Sequence, residues 1–337
     1  MGKTALFILR SDAAQKTGGD LVQAEFYKKI LETNIGFEVF FSHKLRQNEI
    51  QTRQWDLVHI FNISRIQENI ATLANASYKK IILSPILQPG VAFGWKLSIK
   101  NYIRNLFNGR ISIKYFAKLP PHYLRRFDGF VFLSERERQA FLETFPFCVN
   151  AQQSIYQNGV IPGLSATDTE RVFDYITVSR IEPKKRVNEL IDTVSAAAPD
   201  SLLVCVGGLN WYHPFYCLKF LVRVSKGKVL YLGKRPAPIV YAFMKRTKTL
   251  LNFSEIEVSP LVDLEALACG CNVISTKYSY AHLEECDRYR RIDVKDDWQC
   301  AQAVRESLHS PRPSSLEIGT WEGNSADYEN LVNNLLC

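Results

Sequence analysis

The segment FSEIEVSPLVDLEALACG, Phe253 to Gly270, holds a strand end, a loop and a helix in eighteen residues. Its first residue closes a β-branched and apolar run, Thr249 to Phe253, of the length and composition of a buried strand. Ser259 then has the side chain of a helix cap, Pro260 suits the first helical position, and Gly270 is a helix stop. Between them Leu261, Leu264, Leu267 and Ala268 recur at helical spacing on one inward face. The segment therefore reads as strand, loop and helix. Glu257 falls in the loop, and Glu265 lies beside the apolar stripe, half-buried.

The same alternation fills the rest of the chain. Expected strands are Ala5 to Leu9, Phe37 to Phe41, Leu57 to Phe61, Lys80 to Leu83 and Gly129 to Leu133. A second series is Tyr175 to Val178, Leu202 to Val206, Val229 to Leu232, Thr249 to Phe253 and Asn272 to Ser275. A strand followed by a helix, repeated, builds a parallel sheet with helices on both faces. Ser134-Glu-Arg-Glu137 after one strand is a capping box. The turn-rich Gln157-Asn-Gly-Val-Ile-Pro-Gly163 separates the two series and reads as an interdomain linker. The expected fold class is α/β, with two doubly wound, Rossmann-like domains, 1–157 and 158–320, facing across a cleft. A length of 337 residues agrees, being roughly two domains of about 150 residues each.

Composition excludes several classes. An apolar fraction of 46% supplies material for two cores and argues against disorder. The N-terminal apolar run, Ala5 to Leu9, is too short for a signal-peptide core, and no uncharged apolar stretch approaches about twenty residues, so a soluble or peripheral protein is expected. The eight cysteines form no CxxC pair and have no zinc-like His spacing. Reduced thiols in a cytoplasm are expected, and metal binding by Cys269 and Cys271 is disfavoured.

The net charge of +8 is unevenly spread. From Asn69 to Phe127 the chain has no Asp or Glu and ten basic residues. From Ser201 to Ser254 it again has none, with nine. In the first block, WKLSIKNYIRNLF places Trp95, Ile99, Tyr102, Ile103 and Leu106 on one helical face beside Lys96, Lys100 and Arg104. That pattern suits a helix lying on an anionic membrane, and equally a surface helix packed on its own domain; the missing acids favour the membrane. No zinc-finger, homeodomain or RNP-like signature is present, so no nucleic-acid partner is expected.

In doubly wound sheets ligands bind beyond the carboxyl ends of the strands. After the first strand, Gly18 and Gly19 open a helix, where backbone N–H groups can approach an anion; a glycine pair also simply makes turns. After Tyr175 to Val178, the segment SRIEPKKRVNELI places Arg180 and Lys185 before a helix. Two cations there suit a diphosphate, although solvated surface charge is the commoner meaning of such residues. Glu257 and Glu265 are at the corresponding rim, able to accept hydrogen bonds from hydroxyls, and Glu265 could instead pair with a neighbouring cation.

Taken in order, these segments resemble the retaining glycosyltransferases of the GT-B fold, family 4 (glycosyl transferases group 1). The resemblance rests on TGGD, the DLVH of Asp56 to His59, NGV at Asn158, SRIEPKK, LYLG, the two glutamates eight apart with the following ALACG, and the terminal TWEGNSADYENLV. It covers nearly the whole chain; single motifs are moderately specific and their order is strongly so. It implies a nucleotide-diphosphate-sugar donor held mainly by the C-terminal domain, with Arg180 and Lys185 at the leaving diphosphate, Glu257 beside the sugar and Glu265 on the ribose hydroxyls. The implied donor set is Gly18, Gly19, Arg180, Lys185, Ser259, Leu261 and Glu265, with Arg180, Lys185 and Glu257 catalytic. His59, Asn62 and Arg65, after the third strand, are acceptor candidates facing the cleft. The terminal helix, 321–337, would cross back onto the first domain. No cofactor and no metal are expected, because cations at the leaving group fill the charge-stabilising role.

One departure stands out. Val258-Ser259-Pro260 replaces the family's Gly-Phe-Gly after the first glutamate, and Pro260 has no N–H to give. The expected activity is transfer of a sugar to a glycan or lipid-linked glycan in cell-surface polysaccharide or glycolipid assembly, peripheral on the cytoplasmic face of the membrane. The alternatives are a GT-B binding or scaffold subunit without catalysis and, more weakly, a sugar-nucleotide epimerase.

Overall fold

The structure is a computed structural model that describes residues 2–10, 13, 18–89, 121–166, 169–308 and 318–337. The expected helix over 95–107 lies outside the described residues. The chain divides into two compact units, one of residues 1–157 and 324–337, the other of residues 158–323.

The first unit is built on six parallel strands in the order β2-β1-β3-β4-β5-β6. They are β1 (Lys3–Ile8), β2 (Phe37–Phe41), β3 (Gln54–Phe61), β4 (Ser77–Ser84), β5 (Gly129–Phe132) and β6 (Gln152–Ile155). Leu6, Phe7, Val58, Ile60, Ile82 and Phe130 are wholly buried, as expected where helices cover a parallel sheet. The helix Ala326–Leu336 packs beside β5 and β6, and Asn34 Nδ2 donates to Glu329 on it at 2.8 Å. Ser134 caps the helix Glu135–Thr144 by accepting from Glu137 N at 3.1 Å. The buried Glu137 carboxylate accepts from Leu133 N and Leu87 N, each at 2.7 Å, and burial pushes its pKa up to about 7.

The second unit is a separate parallel sheet in the order β12-β11-β10-β7-β8-β9. Its strands are β7 (Phe173–Val178), β8 (Leu203–Val206), β9 (Val229–Gly233), β10 (Thr247–Asn252), β11 (Asn272–Thr276) and β12 (Tyr289–Ile292). Separate cores fill its two faces. Tyr175, Ile191, Phe220 and Val304 belong to one, Ile176, Met244, Leu250 and Leu267 to the other. Helices on both faces account for the nearly uninterrupted apolar strands of the sequence. Where the chain enters this unit, Val160 N donates to Gly319 O at 3.0 Å, and a side chain on Gly159 would lie 2.4 Å from the Thr320 and Trp321 backbone. NGV and GTW are therefore two pieces of one close backbone crossing.

All ten expected strands are present within a few residues at each end. The edge strands β6 (QQSI) and β12 (YRRI) were not anticipated, because neither carries an apolar run. The start of the helix Leu261–Ala268 corrects another expectation. Pro260 is its N-cap, with φ −70° and ψ 114°, and Ser259 makes no capping bond. Proline's fixed φ can serve at the cap itself, which moves Ser259 one position too early. Its far end is as read: Gly270 has φ +84°, with Gly270 N bonded to Leu267 O and Cys271 N to Ala266 O, a Schellman closure.

Candidate functional site

Strand order locates a site in each sheet. In the second unit the chain runs from β7 outward through β8 to β9, then returns to place β10 against the other side of β7. The loops after β7 and β10 thus leave in opposite directions and open a crevice at their carboxyl ends. The loop after β7 carries Arg180 and Lys185, and the loop after β10 carries Glu257 and Ser259, followed by the helix beginning at Leu261.

Hydrogen bonds join these two loops. Glu255 N donates to Lys184 O at 2.8 Å, and Lys185 Nζ donates to Glu257 Oε1 at 2.5 Å. Glu257 N in turn donates to Tyr278 O at 3.0 Å, beyond β11, so the Glu257 backbone is tied to the next loop while its carboxylate meets Lys185. Arg180, more than half exposed, pairs through Nη2 with Glu182 Oε1 at 3.1 Å. Glu182 is 7% exposed and its other oxygen accepts from Asn210 Nδ2 at 2.6 Å. Each cation thus uses one of several donors on a carboxylate that orients it, and has others left to donate. A third wall follows β8. Gly207 has φ +149°, and a Cβ there would lie 1.7 Å from Ser179 O, so only glycine lets this loop lie against the start of the Arg180 segment.

Glu265 lies one turn into the helix Leu261–Ala268 and accepts from Tyr241 Oη at 2.8 Å. Burial raises its pKa, and the Tyr241 bond opposes that shift. Its other oxygen takes no hydrogen bond among the described residues and can accept one from a hydroxyl. Among the described residues no hydrogen bond or ion pair links Glu265 to the Lys185–Glu257 pair. Ser259 Oγ is buried and makes no hydrogen bond, while Ser259 O accepts from Asn158 Nδ2 at 2.9 Å, which ties NGV to this loop.

Sequence reading missed three residues here. Glu182 and Asn210 orient Arg180, and the E of SRIEPKK was the available signal. Asp263 gave no signal: it is wholly buried two residues before Glu265, accepts from Asn252 Nδ2 at 2.9 Å, and lies near Tyr289 Oη. Burial pushes its carboxyl up to about 7, with the Glu257 charge adding to the rise and Lys185 opposing it.

In the first unit the switch point lies between β1 and β3. Gly18 is the N-cap of the helix Gly19–Ile30, and Arg10, just beyond β1, pairs with Asp20 at 2.9 Å beside it. Asn62, directly after β3, has φ +74° and accepts from Ser64 N at 3.0 Å. The expectation for the Arg65 side chain lies outside the described residues. His59 requires correction: it lies inside β3, wholly buried, not beyond the strand facing outward. Its Nε2 bonds Ser84 Oγ at 2.8 Å and its Nδ1 bonds Tyr328 Oη at 3.1 Å, and burial holds its pKa well below the usual range. It is a satisfied core histidine among Phe61, Tyr27 and Tyr328.

Among the described residues no group of three or more His, Cys, Asp or Glu side chains is placed to hold a metal ion, and no helix is long and apolar enough to cross a membrane. All eight cysteines are free, and six of them are buried.

No curated protein matches the sequence. Among solved structures the whole chain is similar to HepE of Anabaena in complex with UDP and glucose, at 16% identity over 99% of this chain and 97% of that one, with a TM-score of 0.64. Sucrose-phosphate synthase of Thermosynechococcus elongatus aligns at 13% identity over 99% and 95% of the two chains, with a TM-score of 0.70. The lipopolysaccharide outer core galactosyltransferase WaaB, in its apo form, aligns at 12% identity over 99% of each, with a TM-score of 0.64. At such identities the likeness carries the fold, and the fold is GT-B. Residues 167–317, nearly all of the second unit, match the family model of glycosyl transferases group 1.

Proposed function

We propose that this protein is a retaining glycosyltransferase of family 4 that moves a sugar from a nucleotide-diphosphate-sugar to a hydroxyl of a glycan or lipid-linked glycan. The observation that carries the reading is the pair of carboxylate-oriented cations, Arg180 on Glu182 and Lys185 on Glu257, at the switch point of the second sheet. The group 1 family match over the same unit supports it, as do neighbours with a bound uridine nucleotide and sugar.

In this reading the second unit holds the donor and the first unit the acceptor. The bond between the anomeric carbon and the diphosphate oxygen breaks, the acceptor oxygen attacks from the same face, and its proton passes to the departing diphosphate. Negative charge grows on the diphosphate as the bond breaks, and donors already oriented by Glu182 and Glu257 lower that barrier without reorganising. That role needs no metal ion. Glu265 would accept from the ribose hydroxyls, Glu257 would lie beside the sugar, and Gly18, Gly19, Ser259 and Leu261 would complete the donor contacts. Asn62 and Arg65 remain on the acceptor side. The acceptor belongs to cell-surface polysaccharide or glycolipid assembly, and the protein works peripherally at the cytoplasmic face of the membrane.

The test is release of nucleoside diphosphate from a panel of UDP-, GDP- and ADP-sugars. At least one should turn over, and Arg180→Ala with Lys185→Ala should abolish turnover while the thermal unfolding midpoint stays in place. Full activity in that double variant would refute the assignment. Pro260 as a helix cap without an N–H, beside the uncapped Ser259, favours a second reading, a GT-B subunit that binds without catalysing. Nucleotide binding without turnover of any donor would select it.

A further inference from the structure

We infer that the exposed face of the helix Pro214–Lys226 is a membrane-docking surface for anionic lipid. This helix turns Cys217 and Phe220 inward, and Phe220 packs edge-on against Tyr231 of β9. On its opposite side Phe215, Leu218 and Val222 are 80%, 52% and 52% exposed, and Trp211 and Tyr212, just before the helix, are 58% and 66% exposed. At 100° per residue, Phe215, Leu218 and Val222 fall on one stripe, and Trp211 and Tyr212 lie in the turn just before the helix. A soluble surface rarely strings five large apolar side chains together without a partner.

Charge identifies the partner. Lys219 and Lys226 project within about 40° of Phe215 around the helix, along the edge of that stripe. Both are exposed, and neither forms an ion pair among the described residues. Arg223, turned further away, is neutralised by two bonds to Asp192. No Asp or Glu occurs anywhere from Ser201 to Ser254, and the exposed Lys234 and Arg235 follow β9. Aromatic and aliphatic side chains bordered by unpaired lysines, with no acids, match the boundary between acyl chains and anionic headgroups. Trp211 and Tyr212 would also suit a protein partner; the unpaired lysines with no acids beside them select an anionic lipid surface, which offers acyl chains and phosphate charge together.

This inference deepens the peripheral-membrane part of the function proposed above and does not depend on the transfer chemistry. The test is co-sedimentation of the full chain with phosphatidylcholine vesicles, with and without phosphatidylserine. Two double variants are compared, Phe215→Ser with Leu218→Ser, and Lys219→Gln with Lys226→Gln. All four are surface positions, so thermal midpoints should match the parent. The parent should bind only the anionic vesicles, the serine pair should lose binding, and affinity should fall about fivefold for each lysine removed. Parent binding that both variants retain in full would overturn this face as the docking surface and leave a peripheral protein that docks elsewhere. Failure of the parent to bind either vesicle would overturn both the face and the peripheral reading. Conversion of a parent oligomer to a monomer by the serine pair, with vesicle binding unchanged, would assign the face to self-association.

Discussion

Replacing Asp263 by Asn should make the protein more stable, and increasingly so as pH rises. The buried carboxyl titrates near 7, against 3.8 for an ordinary aspartate. Its charged form is therefore disfavoured in the folded chain, and the folded state binds the extra proton between those two values. Stability then falls with pH through that window and levels off above about pH 7, the reverse of a salt-bridged aspartate. A shift of about three units, at about 1.4 kcal/mol per unit, sets a ceiling of about 4 kcal/mol above neutrality. Between pH 5 and pH 8 the cost grows by about 3 kcal/mol. Asparagine keeps the shape and can still pair with Asn252 Nδ2 through its carbonyl, but it carries no charge. Thermal midpoints of both proteins, followed from pH 5 to pH 8, should diverge by on the order of 10 °C for a unit of this size. Glu137, also near 7, contributes the same sign in both proteins and cancels from the difference. Parallel midpoint curves would contradict this, because they would mean that Asp263 ionises as freely in the folded chain as in the unfolded one.

Two further outcomes follow from close contacts. Gly207→Ala puts a carbon 1.7 Å from Ser179 O at a φ of +149°, so the loop bearing Arg180 must move. We expect a loss of at least about 2 kcal/mol in urea unfolding together with weakened nucleotide binding, and an unchanged protein on both counts would contradict the geometry. Tyr328→Phe removes the hydroxyl bonded to His59 Nδ1, leaving a buried polar atom unsatisfied at a cost of about 1–3 kcal/mol. A midpoint equal to the parent's would show that the histidine has another way to be satisfied.

Much of the fold was legible because its signals are local. Alternating apolar runs and helical stripes announce strands and helices from neighbouring residues alone, and strand followed by helix implies parallel pairing, since a parallel partner needs a long crossover. Gly270 could be read as a helix stop because a left-handed residue needs no partner elsewhere. The edge strands β6 and β12 could not, because QQSI and YRRI are held as strands by pairing with β5 and β11 rather than by their own pattern.

The candidate site divides along the same line. Arg180, Lys185, Glu257 and Glu265 were found by residue type and by place after a strand, which sequence order supplies. That Glu182 orients Arg180, that Lys185 meets Glu257 across 72 positions, and that Asp263 is buried are facts of packing between loops distant in the chain. His59 shows the reverse error. It lies within the expected strand Leu57 to Phe61 yet was counted with the residues beyond it, and its partner Tyr328 lies 269 positions away on a helix that returns to the first sheet. The periodic elements and the chemistry placed at their ends follow from neighbouring residues alone. Which of those groups are paired, which are exposed and which are core is set by packing, because burial and hydrogen bonding depend on residues that no local pattern brings together.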